Sequence, residues 1–225
     1  KLLDWAADGG AGPVFATGAA PATLWTARAG GRATRVASLP PNLDVRAITW
    51  LSGNAGVAVA AGRFGEAADR MLYLRPGVRV APRTEMLPDG AHDPVPSPEG
   101  RFIAYLQDGG ESVPGGAEAG SRITVVRANG TGRRVLTPPR RYSGLAWSPA
   151  GTLLAYAWQE GGRAAIEIAD VLTGERLRIG DYRLEAPTRS APLAIVWAPD
   201  GTRLAFGTDT GTRDGFVWVA TLERR

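Results

Sequence analysis

Apolar residues occur along the chain in short runs separated by polar and glycine-containing turns, and the same arrangement recurs. In each unit a first strand ends at a tryptophan position, and a tight turn rich in Pro, Asp and Gly leads into a second strand of small and aromatic residues. A variable loop, a third strand, a short glycine turn and a fourth strand complete the unit. Short alternating runs bounded by turn residues predict β-strands, so each unit is predicted to form one four-stranded sheet.

The repeat is regular enough to predict the fold. Close copies of one sequence lie at 94–105, 145–156 and 195–206, and two more divergent copies contain Trp5 and Trp50. With the tryptophan position as the marker, the copies lie at positions 5, 50, 96, 147 and 197, in steps of 45, 46, 51 and 50 residues. A repeat of roughly 40 to 50 residues built from short strands is typical of β-propeller blades. The sequence therefore predicts an all-β fold, a five-bladed β-propeller of four-stranded antiparallel blades, as a single domain over 1–225.

The individual blades differ in how clearly their strands are marked. The fourth strands of the second and third blades are predicted at 78–82 and 133–137. In the third blade Pro94 and Pro96 weaken the first strand because they cannot donate ladder hydrogen bonds. The fifth blade supplies three strands, and two interpretations stay open: the blade is three-stranded and leaves an edge, or the natural protein continues past Arg225. The predicted blades span approximately 1–40, 41–88, 89–138, 139–186 and 187–225.

Composition is that of a soluble, turn-rich globular protein. The 225 residues are 44% hydrophobic and 21% charged and include 30 glycines. No apolar run approaches the roughly 20 residues of a membrane-spanning helix, so no membrane span is predicted in this chain. The lack of cysteine excludes disulfides, thiol catalysis and Cys-ligated zinc. Because the chain begins with Lys1 rather than Met, we expect a processed form or a piece of something longer.

The net charge of +4 comes from arginine, since Lys1 is the single lysine. This preference for arginine over lysine is interpreted first as an effect of codon usage and second as a sign of a nucleic-acid-binding surface. The densest basic cluster, Arg133-Arg134 and Arg140-Arg141, lacks the interleaved aromatics and the recognisable module of a nucleic-acid surface. No nucleic-acid partner is therefore expected.

The repeated phrases resemble a known family. Trp147-Ser148-Pro149-Ala150-Gly151 and Trp197-Ala198-Pro199-Asp200-Gly201, each followed by Leu-Ala and an aromatic residue, are similar to the WD40-like PD40 repeat of TolB-type propellers. The resemblance implies a bacterial propeller that is exported, to the periplasm or the extracellular space, and that acts as a non-catalytic platform for a protein partner. It departs from TolB in lacking a preceding α/β domain and in showing five blades rather than six. The oligomeric state stays open.

Candidate ligand-binding residues come from the long loops, which a propeller gathers on one face. His92 beside Asp93 has the composition of a general base with a carboxylate partner. Asp108, Glu160 and Asp209 occupy equivalent places in three consecutive units and would ring the mouth of the channel, where carboxylates hold a metal or a basic ligand. No cofactor, metal or catalytic residue is predicted outright. The ligand-binding candidates are His92, Asp93, Asp108, Arg140, Arg141, Tyr142, Trp158, Glu160 and Asp209.

Other functions stay open beside the binding module. The chain could be the propeller portion of a larger hydrolase of the prolyl-oligopeptidase type, but it contains no Gly-x-Ser-x-Gly elbow and so no complete serine hydrolase. It could be the sensor portion of a membrane-tethered protein. A metal-dependent propeller enzyme would need at least three converging ligands near Asp108, Glu160, Asp209 and His92.

Overall fold

The structure is a computed structural model in which the chain forms antiparallel β-sheets. It describes residues 3–5, 13–17, 22–27, 31–39, 43–51, 56–63, 69–74, 83–88, 90–109, 120–160, 163–183, 194–209 and 215–222. These residues contain 19 strands, which pair into five sheets, and the strands of each sheet are consecutive along the chain. Within these ranges, no helix has the length and apolar character that a membrane span requires.

The strands are numbered in chain order. The first sheet contains β1 (Leu3–Trp5), β2 (Pro13–Thr17), β3 (Thr23–Thr26) and β4 (Thr34–Ser38). The second contains β5 (Leu43–Leu51), β6 (Gly56–Arg63), β7 (Asp69–Leu74) and β8 (Arg83–Met86). The third contains β9 (Ala91–Pro96), β10 (Phe102–Asp108), β11 (Ser121–Arg127) and β12 (Arg134–Val135). The fourth contains β13 (Arg141–Trp147), β14 (Leu153–Glu160), β15 (Arg163–Asp170) and β16 (Arg176–Arg183). The fifth contains β17 (Ala194–Trp197), β18 (Arg203–Asp209) and β19 (Gly215–Thr221).

This architecture confirms the predicted fold class. Four sheets have four strands in sequential order, and the fifth has three strands among the residues that the structure describes. Each sheet corresponds to one predicted propeller blade. The blade boundaries and the single-domain organisation stay predictions.

Two strand assignments differ from the sequence prediction. The fourth strand of the second sheet is β8, where Arg70 pairs with Met86 and Tyr73 with Arg83, whereas the predicted strand at 78–82 lies outside the described residues. Strand β12 is only two residues long, although 133–137 is predicted as a strand. The reason is that turn residues mark where a strand begins but not its register, which the pairing with the preceding strand sets.

The chain divides into two compact units. The first comprises Lys1–Tyr105 with Val126–Arg133, and the second comprises Leu106–Val125 with Arg134–Arg225. In the first unit, the apolar side chains of the first two sheets form a buried cluster that includes Val14, Leu24 and Trp50.

In the second unit, alternate residues of β14 and β15 pack on the fifth sheet. Ala155 and Ala157 belong to a buried cluster with Ile166, Trp197 and Phe206. Because successive side chains of a strand point to opposite faces, the residues between them face away from that cluster. That second face of the fourth sheet carries polar and aromatic side chains, among them Tyr156 and Glu167.

The Ser-Pro-x-Gly turns join first and second strands by the same hydrogen bonds. The Ser148 amide donates to the Leu153 carbonyl at 2.8 Å, and the Ser148 hydroxyl accepts from the Leu153 amide at 3.1 Å. Gly151 has a φ of +67°, a conformation in which a Cβ is strained. In the fifth sheet Ala198 replaces the serine, so the Arg203 amide has no such hydroxyl beside it. There, hydrogen bonds from Thr202, chiefly from its backbone amide, hold Asp200 ionised and lower the pKa of its carboxyl.

This difference between the turns predicts opposite effects of two substitutions. Ser148→Ala removes a buried hydroxyl acceptor and is expected to lower the free energy of unfolding by about 1 kcal/mol. Ala198→Ser supplies the missing acceptor in the equivalent turn and is expected to raise it by about 0.5 kcal/mol. Urea denaturation of the two variants measures both changes, and an Ala198→Ser protein less stable than the parent would contradict the equivalence of the turns.

Candidate functional site

A buried carboxylate marks the site. Glu167 lies in the middle of β15, and its side chain is 8% exposed. Its neighbours in the strand, Ile166 and Ile168, face the apolar cluster, so Glu167 lies on the other face of the sheet. An ionised carboxylate is costly to bury unless donors surround it, and the structure supplies them from both neighbouring strands.

Two aromatic side chains of β14 donate to the two oxygens of Glu167. The Tyr156 hydroxyl donates to Oε2 at 3.0 Å, and the Trp158 indole Nε1 donates to Oε1 at 2.9 Å. Tyr156 and Trp158 lie two residues apart and therefore share one face of the strand. Burial, with the charge of Glu167 beside it, raises the pKa of the Tyr156 hydroxyl well above its ordinary value. Tyr156 therefore remains a neutral donor at physiological pH.

Two arginines approach the same carboxylate from β16. The closest guanidinium nitrogens of Arg178 lie 3.4 Å from Oε1 of Glu167, and Nη1 of Arg176 lies 3.9 Å from Oε2. The side chains of Arg176 and Arg178 are 42% and 47% exposed, so both guanidinium groups are accessible to solvent. Glu167 thus positions two arginines at the surface while remaining buried itself.

A third arginine enters from the start of the fourth blade. The guanidinium carbon of Arg140 lies 4.1 Å from the centroid of the Trp158 ring, and that of Arg178 lies 5.3 Å from the same ring. Arg140 also forms an ion pair with Glu160, with Nε 3.1 Å from Oε2. Cation–π stacking on a buried indole restrains a long side chain and so reduces the entropy lost when a ligand binds.

Together these residues line a surface cleft of 530 Å³, which we call the arginine cleft. Three guanidinium groups face one buried carboxylate in the lining, and Glu160 outside it pairs with Arg140. The cleft therefore carries excess positive charge and many N–H donors, a combination that binds carboxylate or phosphate groups. Its lining residues are Pro138, Arg140, Glu167, Gly174, Arg176 and Arg178.

Neighbouring contacts hold the walls of the cleft in place. The Tyr142 hydroxyl donates to the Pro138 carbonyl at 2.7 Å, and the Tyr142 ring packs edge-on against Tyr156 with 5.7 Å between the ring centroids. The guanidinium group of Arg134 donates to the carbonyls of Leu172 and Thr173 in the turn between β15 and β16. The cleft is thus built on strands and a braced turn, which suits a preorganised binding site.

Four of the residues predicted from sequence lie at or beside the arginine cleft. Arg140 lines it, and Trp158 and Glu160 contact Arg140 directly. Tyr142 pairs with Trp158 across β13 and β14. Trp158, one of the candidates on the predicted loop face, is 5% exposed and lies within its strand. Whether these residues bind a ligand stays a prediction.

The other predicted residues lie elsewhere. Asp108 ends β10 and accepts a hydrogen bond from the Ser121 hydroxyl at 2.9 Å, and Arg141 is an exposed residue at the start of β13. Asp209 ends β18, and its backbone pairs with Gly215. Asp108, Glu160 and Asp209 are each the last residue of a second strand, and their arrangement around a channel stays a prediction.

His92 and Asp93 belong to β9 rather than to a loop. The two side chains lie 3.1 Å apart, from Nδ1 to Oδ2, and Asp93 has a φ of +49°. Strands such as β9 and β13 extend beyond their apolar runs because ladder pairing uses the backbone and tolerates polar side chains on an exposed face. Within the described part of the chain, no three His, Asp or Glu side chains converge to hold a metal ion.

Sequence reasoning missed Glu167, Arg176 and Arg178, although one of them carries a visible signal. Glu167 interrupts an otherwise apolar run, Ala-Ala-Ile-Glu-Ile-Ala at 164–169. A charged residue at the centre of a buried strand requires partners, and Tyr and Trp at alternate positions of the preceding strand supply them. The arginines of β16 follow a glycine turn and resemble ordinary surface residues in sequence.

Comparisons with known proteins bear on the fold. No protein-family model matches the chain, and no curated protein matches it in sequence. Among solved structures, a protein described as TolB from Agrobacterium tumefaciens is 19% identical with a TM-score of 0.57, covering 84% of this chain and 62% of its own. An oligogalacturonate lyase from Vibrio parahaemolyticus is 10% identical with a TM-score of 0.69, covering 97% of this chain and 61% of its own. A nidogen/laminin complex gives 12% identity and a TM-score of 0.55, covering 87% of this chain and 69% of the matched one.

These likenesses show the fold alone. The chain has a β-propeller fold like that of the TolB structures, as the repeat predicts. It spans less than two thirds of the length of the TolB and lyase structures that it matches. The neighbours include both TolB and a lyase, so likeness in fold is compatible with a binding protein and with an enzyme.

Proposed function

We propose that this chain is a non-catalytic binding module that recognises acidic groups of a protein partner through the arginine cleft. The observation that carries the proposal is the cleft itself: Arg140, Arg176 and Arg178 line 530 Å³ of open space around one buried carboxylate. Gathering like charges in a folded protein is unfavourable unless an anion offsets them, and Glu167 offsets only part. We further propose that the partner is met outside the cytoplasm, as the resemblance to exported propellers implies.

The contacts of Glu167 support a positioning role. Its two carboxylate oxygens accept hydrogen bonds from Tyr156 and Trp158 and lie beside Arg178. In this arrangement the buried carboxylate positions the arginines. The cleft then acts as a rigid array of donors for the carboxylates of a partner.

Labelled poly-L-glutamate is a probe that tests this proposal. We expect the protein to bind this probe in a fluorescence anisotropy titration at low salt. We expect the double variant Arg176→Ala/Arg178→Ala to bind at least about tenfold more weakly, which corresponds to a loss of about 1.4 kcal/mol of binding free energy. The double variant Arg32→Ala/Arg35→Ala is the matched control, because it removes the same charge from exposed positions around β4. Equal losses in the two double variants would show unspecific attraction and would overturn the proposal.

A second candidate is favoured by the lyase likeness, which extends over 97% of this chain. In this alternative the chain forms part of an enzyme acting on an acidic polysaccharide, and the arginines neutralise uronate carboxylates. Incubation with oligogalacturonate, followed by ultraviolet absorbance of an unsaturated product, tests it. A steady rise in absorbance that is lost in Arg176→Ala/Arg178→Ala would replace the binding module by this candidate.

A further inference from the structure

The outer strand of the fourth sheet offers a backbone edge beside the arginine cleft. Among the described strands β16 has one hydrogen-bonded neighbour, since the order is β13-β14-β15-β16. The end strand of a sheet presents N–H and C=O groups to an extended chain that lies beside it. Arg176, Leu177 and Arg178 are all exposed, and Leu177 is 58% exposed despite being apolar.

These three residues alternate in chemistry and in the face that they occupy. Arg178 pairs with Glu167, Leu177 with Ile168 and Arg176 with Ala169, so the two arginines share the face of the cleft and Leu177 lies on the opposite face. Residues two apart in a strand are separated by roughly 6.5 to 7 Å, which is also the spacing of alternate residues in any extended peptide. The edge therefore presents the order basic, apolar, basic.

We propose, building on the function proposed above, that the partner contributes an extended segment of the order acidic, apolar, acidic, which adds to the sheet along β16. Backbone hydrogen bonds to the edge supply affinity, and side-chain pairs across the strands supply specificity. The two acidic residues lie opposite Arg176 and Arg178, and the apolar residue between them covers Leu177 on the other face.

Charge at this edge selects the occupant. A second copy of the same edge would place arginine opposite arginine, and like charges directly opposite in a sheet are destabilising. The register of β15 and β16 shifts between Ile166 and Glu167, so the regular part of the edge around 176–178 is short. Such an irregularity discourages long arbitrary strands and leaves room for a short acidic one.

The test compares labelled peptides on the unaltered protein. A peptide of alternating glutamate and valine is the probe, and a peptide of the same composition with its glutamates in one block is the control. A third peptide keeps the alternating order but carries N-methyl groups on alternate amides, which blocks strand pairing without changing charge. We expect the alternating peptide to bind at least about tenfold more tightly than either of the others. We also expect it to slow hydrogen exchange of the backbone amides at 176–178.

The outcomes separate the two proposals. If the three peptides bind with equal affinity and Arg176→Ala/Arg178→Ala weakens the binding of each, the arginine cleft does bind acidic groups and strand addition is overturned. If neither the peptides nor poly-L-glutamate binds, both proposals fall. If a galacturonate oligomer displaces the alternating peptide at lower concentration than the unlabelled peptide does, the partner is a polysaccharide and the peptide assignment is wrong.

Discussion

Replacing Glu167 by alanine is expected to lower the free energy of unfolding by about 3 kcal/mol, one of the two largest effects that we predict for this chain. The substitution leaves two buried donors, the Tyr156 hydroxyl and the Trp158 indole N–H, without their acceptor, and each orphaned donor costs about 1 to 3 kcal/mol. It also removes the negative charge that offsets Arg176 and Arg178. In a chain of this size the midpoint of thermal unfolding is expected to fall by roughly 6 to 12 °C.

Two further variants separate the contributions. Glu167→Gln keeps one acceptor oxygen but loses the charge, so we expect a smaller loss of about 1 to 2 kcal/mol. Glu175→Ala removes an exposed glutamate from the turn that precedes β16, and we expect a change within about 0.5 kcal/mol. Urea denaturation of the three variants measures the series. A Glu167→Ala protein as stable as Glu175→Ala would mean that the aromatic donors find water instead, and the carboxylate would then have no structural role.

The fold was predictable because the residues that determine it recur. Four of the five predicted blades have a tryptophan at the end of the first strand, three have a Pro-x-Gly turn after that strand, and the period of 45 to 51 residues makes the recurrence visible. Strand register was not predictable in the same way. The fourth strand of the second sheet lies later than predicted because a turn signal in the sequence does not give the length of the connection that follows it.

The arginine cleft was harder to predict because its parts occur once. Arg140 and Trp158 were identified as binding candidates because they lie in or next to the long loops that a propeller gathers on one face. Arg176 and Arg178 were missed because they join the site only through the register of β15 with β16, which pairs Arg178 with Glu167. A site assembled from different strands has no period in the sequence, so its members cannot be recognised until the pairing is known.

The two faces of the fourth sheet differ in whether their residues recur in the other predicted blades. Its first face consists of small and branched apolar residues, among them Ala155 and Ile166, that match the needs of any blade. Its second face carries a glutamate and a tryptophan that no other predicted blade repeats at those places, whereas the tyrosine beside them recurs as an aromatic residue in the third and fifth blades. A buried polar network of this kind is costly unless its members are paired, and here it positions Arg176 and Arg178 at the surface.

Replacing Trp197 by alanine is the second substitution for which we expect a large effect, a loss of about 3 to 5 kcal/mol. Trp197 is 8% exposed, packs in the apolar cluster of the fourth and fifth sheets, and donates from Nε1 to the Ala146 carbonyl at 3.0 Å. The hydrogen bond joins the first strands of the two sheets, β17 and β13. Trp50 and Trp147, at the equivalent positions of their blades, are buried to a similar degree.

Two variants distinguish the hydrogen bond from the packing. Trp197→Phe keeps most of the buried ring but leaves the Ala146 carbonyl without its donor, so we expect a loss of about 1 to 2 kcal/mol. Trp218→Ala removes the same side chain from a half-exposed position in the same sheet and is expected to cost less than half as much as Trp197→Ala. Denaturant unfolding followed by circular dichroism compares the three. Equal losses of unfolding free energy for Trp197→Ala and Trp218→Ala would contradict the prediction. They would show that burial of the repeated tryptophan does not hold adjacent sheets together.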